Sequence, residues 1–105
     1  MRGRMPLALP ALVLAALVPA VAAAETHTVR IEGMQMQPTT LTVRKGDRIV
    51  WRNQDMVPHT ATAAGAFDTG VIPPGGSVTR KLDQAGHFAY ICKLHPAMKG
   101  EVVVQ

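Results

Sequence analysis

Apolar side chains alternate with polar ones on both sides of the tetrapeptide "RKGD" at residues 44–47. Before it, Leu41 and Val43 share one parity, and after it Ile49 and Trp51 do the same. A period of two is typical of β-strands with one buried face, whereas an amphipathic helix repeats every 3.6 residues. The glycine of the tetrapeptide tolerates the positive φ that tight turns require. The pattern therefore predicts two strands with a turn between them.

Strand signals continue along the chain, and no stretch has convincing helical periodicity. Val29 and Ile31 predict an earlier strand, and "PPGG" at residues 73–76 predicts a second turn. The remaining predicted strands contain Val78 and Leu82 with Arg80 near a sheet edge, then Gly86 followed by Phe88, Tyr90 and Cys92 on one face, and finally "EVVVQ" at residues 101–105. Several short strands separated by turns predict an all-β sandwich or barrel.

Residues 1–24 have the layout of a secretory signal peptide. Arg2 and Arg4 precede an apolar run, and small residues stand immediately before Glu25. The run is barely long enough to span a bilayer and is interrupted by prolines, so a cleaved leader is favoured over a membrane anchor. We therefore expect a leader over residues 1–24, one domain over residues 25–105, and no membrane span after cleavage.

The cysteine content limits how such a domain is stabilised. A chain of this size buries a modest core, and exported domains usually add disulfides. The sequence has 1 cysteine, Cys92, which therefore has no partner within the chain. In an exported protein such a cysteine is a reactive thiol, an intermolecular bridge or a metal ligand.

Charge excludes one class of function. The formal net charge of +4 includes Arg2 and Arg4 of the leader, and the remaining basic residues are scattered. Without a basic stripe interleaved with aromatic residues, nucleic-acid binding is not expected. The acidic residues Asp55, Asp68 and Asp83 form no carboxylate pair at a suggestive spacing.

The loop "YICKLHPAMKG" at residues 90–100 concentrates metal-binding chemistry. Cys92, His95 and Met98 follow one another at intervals of three residues. A blue copper site uses two imidazoles and a thiolate, with a weak thioether on its axis. The loop supplies three of these four groups, and His59 in "DMVPHTAT" is the best candidate for the second imidazole.

Other interpretations of these residues compete with copper. A lone buried cysteine is often an inert small hydrophobe, and methionine often fills a core. Zinc also accepts cysteine and histidine, although the thioether of Met98 favours copper. A catalytic pair of Cys92 and His95 is a further alternative, but no carboxylate or amide in the loop is placed to orient His95. The methionine-rich segment at residues 33–38 is better explained by a core position for Met36.

The chain resembles the cupredoxins, the small blue-copper proteins, and within them the amicyanins and plastocyanins. The segments that carry the resemblance are "LTVRKGDRIVWRN", "VPHTAT", "AFDTG" and "AGHFAYICKLHPAMKGEVVV". The resemblance implies a Greek-key β-sandwich, export to a bacterial periplasm, and one-electron transfer rather than enzyme activity. It also implies one copper ion bound by His59, Cys92, His95 and Met98.

The same resemblance assigns supporting roles to two residues. Asn53 falls where cupredoxins have an asparagine that ties the two ligand-bearing loops together, and its amide can both donate and accept hydrogen bonds. The alternative is an ordinary turn residue after a strand. The backbone N–H of Thr60 corresponds to the donor to the cysteine sulfur.

An apolar rim around His95 is the predicted docking face for partners. Its members are Val57, Pro58, Leu94, Pro96 and Ala97. An exposed apolar patch suits brief contact with a redox protein, whose identity the sequence does not give, and we expect a monomer. The alternative function is a periplasmic copper carrier or buffer that passes on metal rather than electrons.

Overall fold

A computed structural model describes residues 3–6, 8, 10–12 and 23–105. Within these residues there is no helix, and hence none long and apolar enough to cross a membrane. The predicted leader lies mostly outside them. The strands of the described part are β1 (Thr26–Glu32), β2 (Gln35–Gln37), β3 (Thr40–Val43), β4 (Arg48–Asn53), β5 (Thr62–Ala63), β6 (Phe67–Asp68), β7 (Ser77–Lys81), β8 (Gly86–Ile91) and β9 (Lys99–Val104).

These strands form two sheets that pack as a Greek-key β-sandwich. One sheet has the order β2-β1-β4-β7 and the other the order β3-β9-β8-β5-β6. The pairs β1–β4 and β3–β9 are parallel, and the other pairs are antiparallel. The predicted all-β sandwich is therefore confirmed. The turn at residues 44–47 leads from one sheet to the other and does not close a hairpin.

The core lies between the sheets and is built around aromatic contacts. Trp51 of β4 meets Tyr90 of β8 edge to face, with ring centroids 5.9 Å apart. Phe67 of β6 packs on both rings, at 5.3 Å from Trp51 and 5.8 Å from Tyr90. Such offset and edge-on pairs add to the stabilisation from burial alone. The two sheets are thus joined at the point where β4 and β8 run toward the loops that follow them.

Tyr90 has this position because the residue opposite it has no side chain. Gly100 pairs with Tyr90 across β8 and β9. A Cβ at position 100 would lie 2.2 Å from the Tyr90 ring, so only glycine leaves room for it. Gly100 also ends the candidate metal-binding loop, and the close approach therefore anchors that loop to the core.

Several finer expectations also agree with the structure. Met36 is buried in the core, and the chain begins β8 at Gly86 as predicted. Arg80 lies on β7, which is an edge strand, and its guanidinium is exposed. β2, β5 and β6 were not predicted.

Candidate metal centre

His59 lies in the loop that follows β4, and backbone hydrogen bonds to Ile72 hold it in place. Its N–H donates to the carbonyl of Ile72 at 3.1 Å, and the N–H of Ile72 donates to the carbonyl of His59 at 2.7 Å. This isolated bridge fixes the backbone on both sides of the residue. The side chain is 0% exposed. The imidazole is therefore inside the protein, and its position is set by strand-like pairing.

Cys92 follows β8 directly, and the strand alternation that buries Tyr90 also turns its side chain inward. The residue is 0% exposed. The backbone N–H of Thr60 donates to Sγ of Cys92 at 3.3 Å, which is the contact that the resemblance implies for Thr60. The hydroxyl of Thr60 accepts a hydrogen bond from the N–H of Lys93 at 2.8 Å. Thr60 thus connects the His59 loop to the Cys92 loop twice.

The loop from Cys92 to Met98 is closed by hydrogen bonds between its own backbone groups. The N–H of His95 donates to the Cys92 carbonyl at 3.2 Å, and the N–H of Met98 donates to the His95 carbonyl at 2.9 Å. The N–H of Cys92 donates back to the Met98 carbonyl at 3.1 Å. Two successive turns therefore bring these three residues together, with Cys92 and Met98 buried and His95 half-buried.

The structure brings the side chains of His59, Cys92 and His95 into one cluster. Nδ1 of His59 lies 3.8 Å from Sγ of Cys92. The rings of His59 and His95 have centroids 5.2 Å apart at an interplanar angle of 65°. Met98 lines the same depression as His95. Residues separated by more than thirty positions thus meet through the two loops.

Asp55 also belongs to this cluster, although the sequence did not predict it there. Its Oδ2 lies 2.8 Å from Nε2 of His59, and its side chain is 14% exposed. An Nε2–H that donates to this carboxylate leaves the lone pair of Nδ1 free on the side facing Cys92. The carboxylate also accepts the N–H groups of Gly33 at 2.7 Å and Met34 at 3.0 Å.

Opposing effects act on the pKa of Asp55. Burial raises its pKa, while hydrogen bonds from the Met34 N–H, the His59 ring and the Gly33 N–H lower it. The hydrogen bonds outweigh burial, and the pKa lies below its ordinary value. The carboxylate is therefore ionised at neutral pH and available to orient His59. The signal in the sequence is an aspartate four residues before the candidate histidine.

Replacing Asp55 with alanine should destabilise the metal-free protein. The change removes the acceptor for the fully buried His59 ring, and an orphaned buried donor costs about 1–3 kcal/mol. The measurement is the free energy of unfolding in urea. Asp83→Ala is the matched control, because Asp83 is exposed and forms a surface ion pair with Lys81. Equal losses in the two variants would show that Asp55 does not support His59.

The side chain of Asn53 makes its hydrogen bonds on one side of the site. Its Nδ2 donates to the carbonyls of Val57 at 2.8 Å and Ile72 at 3.0 Å, and its Oδ1 accepts the N–H of Asp55 at 2.9 Å. These partners all belong to the His59 side of the site. The amide therefore shapes the loop that presents Asp55 and His59. The connection to the Cys92 loop runs through Thr60 instead.

The surface above the cluster is an apolar depression of about 470 Å³. Its wall includes Leu94, which is 47% exposed, and Met34, which is 42% exposed. Met34 was not predicted here; it has a φ of 59°, an uncommon conformation for a long side chain. The other predicted rim members Val57, Pro58, Pro96 and Ala97 are exposed. Pro96 and Ala97 line the depression, whereas Val57 and Pro58 do not.

The donor set fits a thiophilic metal ion better than it fits a preformed cage of hard ligands. Among residues 3–6, 8, 10–12 and 23–105, no group of three or more His, Cys, Asp or Glu side chains is arranged to hold a metal. His59, Cys92 and His95 are three such residues, so they lie together without forming a preformed metal cage, and Met98 adds a thioether. Bonds of about 2.3 Å to sulfur and about 2.05 Å to nitrogen, the lengths known for zinc, would place two donors of a trigonal site about 3.8 Å apart. The separation of Sγ and Nδ1 matches this distance.

The same contacts resemble a cysteine–histidine–aspartate triad, so catalysis must be considered. Cys92, His59 and Asp55 are linked in that order. A nucleophilic thiol needs access to its substrate, and reactive cysteines lie in partly exposed sites. Both Cys92 and His59 are 0% exposed. Burial therefore favours a metal ligand over a nucleophile.

A family comparison defines the class of protein. The model of the cupredoxin-like domain matches residues 6–104. The chain therefore belongs to the cupredoxin-like family. The match begins within the predicted leader, whereas the first strand begins at Thr26.

Individual relatives are plastocyanins and amicyanins. The chain is 35% identical over 83 residues to the chloroplastic plastocyanin of Tetradesmus obliquus, covering 66% of this chain and 57% of that protein. It is 31% identical over 92 residues to the amicyanin of Paracoccus versutus, covering 78% of this chain and 67% of that protein. A solved Cu(I) form of an amicyanin mutant superposes with a TM-score of 0.73 at 28% identity, covering 80% of this chain and 86% of that one.

Proposed function

We propose that this protein is an exported one-electron carrier that binds one copper ion through His59, Cys92, His95 and Met98. The observation that carries the proposal is the buried Cys92 Sγ, which lies 3.8 Å from Nδ1 of His59 and accepts the Thr60 N–H. Thiolate, two imidazoles and a thioether are the donor set of blue copper sites. When bound, copper supplies a reversible one-electron couple between Cu(I) and Cu(II).

The protein's contribution is to hold its ligands in place. The His59–Ile72 bridge and the carboxylate of Asp55 orient one imidazole. The three backbone hydrogen bonds of the Cys92–Met98 loop fix the other ligands relative to one another. A site that is filled by protein donors has no open position for a substrate, which disfavours catalysis at the metal. Ligands that move little on reduction or oxidation favour rapid electron exchange.

His95 is the proposed point of exchange with a partner. It is the half-buried ligand and lies in the depression with Leu94 and Pro96. Apolar surface of this kind suits transient docking. Lys93, the residue before Leu94, is paired with Asp68 at 2.7 Å. The docking face therefore depends on apolar contact more than on charge.

The relatives support the cofactor, and the sequence supports the compartment. An amicyanin with which this chain shares its fold has been solved with Cu(I). We propose export to the periplasm by a leader over residues 1–24, because these residues have the layout of a secretory signal peptide. The chain spans 57% of the length of the chloroplastic plastocyanin. The partners of the relatives are therefore not assigned to this protein, and the docking proposal is based on its own surface.

A copper carrier is the second candidate, and the observation that favours it is Met34. Its thioether side chain lines the same depression as His95 and is partly exposed. A soft donor at the mouth of a copper site would help metal to leave or enter. Electron carriers retain their metal through many redox cycles, whereas carriers of metal release it to an acceptor.

Voltammetry of the copper-loaded protein distinguishes the two functions. We expect a reversible one-electron wave and no loss of copper to a competing chelator during repeated cycles. Electron self-exchange, measured by nuclear magnetic resonance line broadening, should then slow at least about tenfold in Leu94→Glu, because like charges meet in the docked pair. The reduction potential of Leu94→Glu should differ little from that of the wild type. Irreversible cycling with copper loss would favour the carrier.

The control for the docking variant is Thr79→Glu. Thr79 is exposed on the edge strand β7 and does not line the depression. The substitution adds the same charge at a distance from His95. Self-exchange that slows equally in both variants would assign the effect to net charge and would remove the depression from the docking model.

A further inference from the structure

A buried carboxylate lies at the opposite end of β4 from the metal centre. Asp47 immediately precedes β4, while Asn53 at the far end leads into the His59 loop. Asp47 is 3% exposed, although it stands in a turn. A carboxylate in such a place requires compensation by donors. The proposed electron transfer makes no use of it.

Three donors surround the two oxygens of Asp47. Oδ1 accepts the backbone N–H of Glu25 at 2.9 Å. Oδ2 lies 2.9 Å from Nε2 of His27 and accepts the backbone N–H of Arg44, also at 2.9 Å. The hydrogen bond from Glu25 is the largest of the effects that hold the pKa of Asp47 at about 2, ahead of those from Arg44 and His27.

Glu25 is fixed on its other side as well. Its carbonyl accepts the N–H of Arg48 at 2.8 Å, and β1 begins at the next residue. Ala23 and Ala24, which precede it, are exposed. No hydrogen bond of either residue is found within the described part of the chain. The ordered hydrogen bonding of the domain therefore starts at the nitrogen of Glu25.

That nitrogen is also the atom released if the predicted leader is removed after Ala24. We propose that Asp47 is the binding site for the α-ammonium group that cleavage between Ala24 and Glu25 creates. Hydrolysis of the Ala24–Glu25 peptide bond by a leader peptidase uses one water and leaves a carboxylate on Ala24 and an ammonium on Glu25. The ammonium replaces a neutral N–H donor beside a buried anion.

The charge of this donor is what changes the energetics. A charge-assisted hydrogen bond is about twice as strong as a neutral one. A cleft of about 160 Å³ beside Asp47 leaves room for the ammonium and is also lined by Glu25, His27, Arg44 and Gln105. Of these, the Glu25 carboxylate lies 3.9 Å from the His27 ring. Asp47 is the carboxylate in hydrogen-bond contact with the Glu25 nitrogen, and it is the group that the ammonium pairs with.

The pairing has a defined pH window. A bound ammonium has a raised pKa, so its stabilisation is fully present below the ordinary α-amino value of about 7.7–8.0 and is lost as the pH rises through the folded value. The pKa of Asp47 is lowered to about 2 from 3.8, so its part is present above 3.8 and is lost as the pH falls toward 2. The pairing therefore stabilises the processed domain most between pH 3.8 and the ordinary α-amino pKa of about 7.7–8.0.

The test uses the full chain exported by a bacterial host and purified without metal, so that its outcome is independent of the copper proposal. Intact mass should show Glu25 as the first residue. A variant with one glycine inserted between Ala24 and Glu25, verified by mass to begin at that glycine, keeps the N–H donor but moves the charge away. It should melt at least about 4 °C lower at pH 7, and the gap should close above the α-amino pKa.

Two further experiments test whether the lower melting temperature of the insertion variant depends on Asp47. In an Asp47→Asn background the inserted glycine should no longer lower the melting temperature. If that variant does not fold, a nuclear magnetic resonance titration of the Glu25 α-amino group in the wild type gives the answer, with a pKa above about 8.0 expected. A first residue other than Glu25, equal melting of the wild-type and insertion proteins, or an ordinary α-amino pKa would overturn the proposal. Asp47 would then act only as the acceptor for the neutral N–H groups of Glu25 and Arg44 and as the partner of the His27 ring.

Discussion

Copper(II)-loaded protein should be intensely blue, and Cys92→Ser should abolish the colour. The thiolate of Cys92 is the donor whose charge transfer to copper gives the absorption, and a serine hydroxyl cannot replace it. Sγ accepts the Thr60 N–H at 3.3 Å, and this hydrogen bond from the protein helps to stabilise the thiolate. The measurement is the visible spectrum after loading, with copper content determined on the same sample.

Met36→Leu is the control for this experiment. Met36 is a buried, sulfur-containing residue of the core. It does not hydrogen-bond to Cys92, and it does not line the depression. Its replacement changes core packing while leaving the proposed ligands intact, and the colour should remain. A colourless wild type that nevertheless contains stoichiometric copper(II) would exclude a thiolate-ligated blue site.

The parts of the fold that were predictable are those in which the signal is local. The alternation around Ile49 and Trp51 and the run at residues 101–105 each extend over enough residues to define a face. β2, β5 and β6 have three, two and two residues, which is too short for a period of two to be recognised. Their existence depends on neighbouring strands that supply hydrogen-bond partners.

Sheet assignment was beyond the sequence for a related reason. Residues 44–47 look like a hairpin turn, yet β3 pairs with β9 and β4 pairs with β1, both in parallel. The turn residues allow either outcome, because the choice is made by pairing with strands distant in the chain. Hydrophobic alternation reports which face of a strand is buried, but it does not identify the neighbour.

The residues of the candidate metal centre that could be predicted are also those with a local signal in the sequence. Cys92, His95 and Met98 occupy one short loop, so their spacing alone indicated that they belong together. Asp55 was missed because its function depends on His59 and on the N–H groups of Gly33 and Met34, which come from a turn more than twenty residues away. The amide of Asn53 suits either loop equally well, so the sequence could not identify the carbonyls of Val57 and Ile72 as its partners.

Copper should raise the melting temperature of the protein by a large amount. His59 and Cys92 are separated by 33 positions, so an ion that binds both holds together two loops that the unfolded chain keeps apart. A ligand that binds only the folded state adds about 4.1 kcal/mol at a free concentration of 1,000 times its Kd. For a domain of this size that corresponds to an increase of roughly 15–30 °C. Calorimetry of metal-free and loaded protein measures the shift.

The matched variants are His59→Gln and His87→Gln. Both remove one imidazole, but His87 is exposed on β8 and its ring lies near Glu101 at the surface, whereas His59 is buried beside Cys92. The copper-induced shift should fall strongly in His59→Gln and persist in His87→Gln, because only the first variant removes the connection between the two loops. The metal-free proteins provide the baselines, which separate lost metal binding from lost packing. An undiminished shift in His59→Gln would mean that copper is bound by the Cys92–Met98 loop alone. A wild type that melts identically with and without copper would contradict a copper site formed by the four proposed ligands.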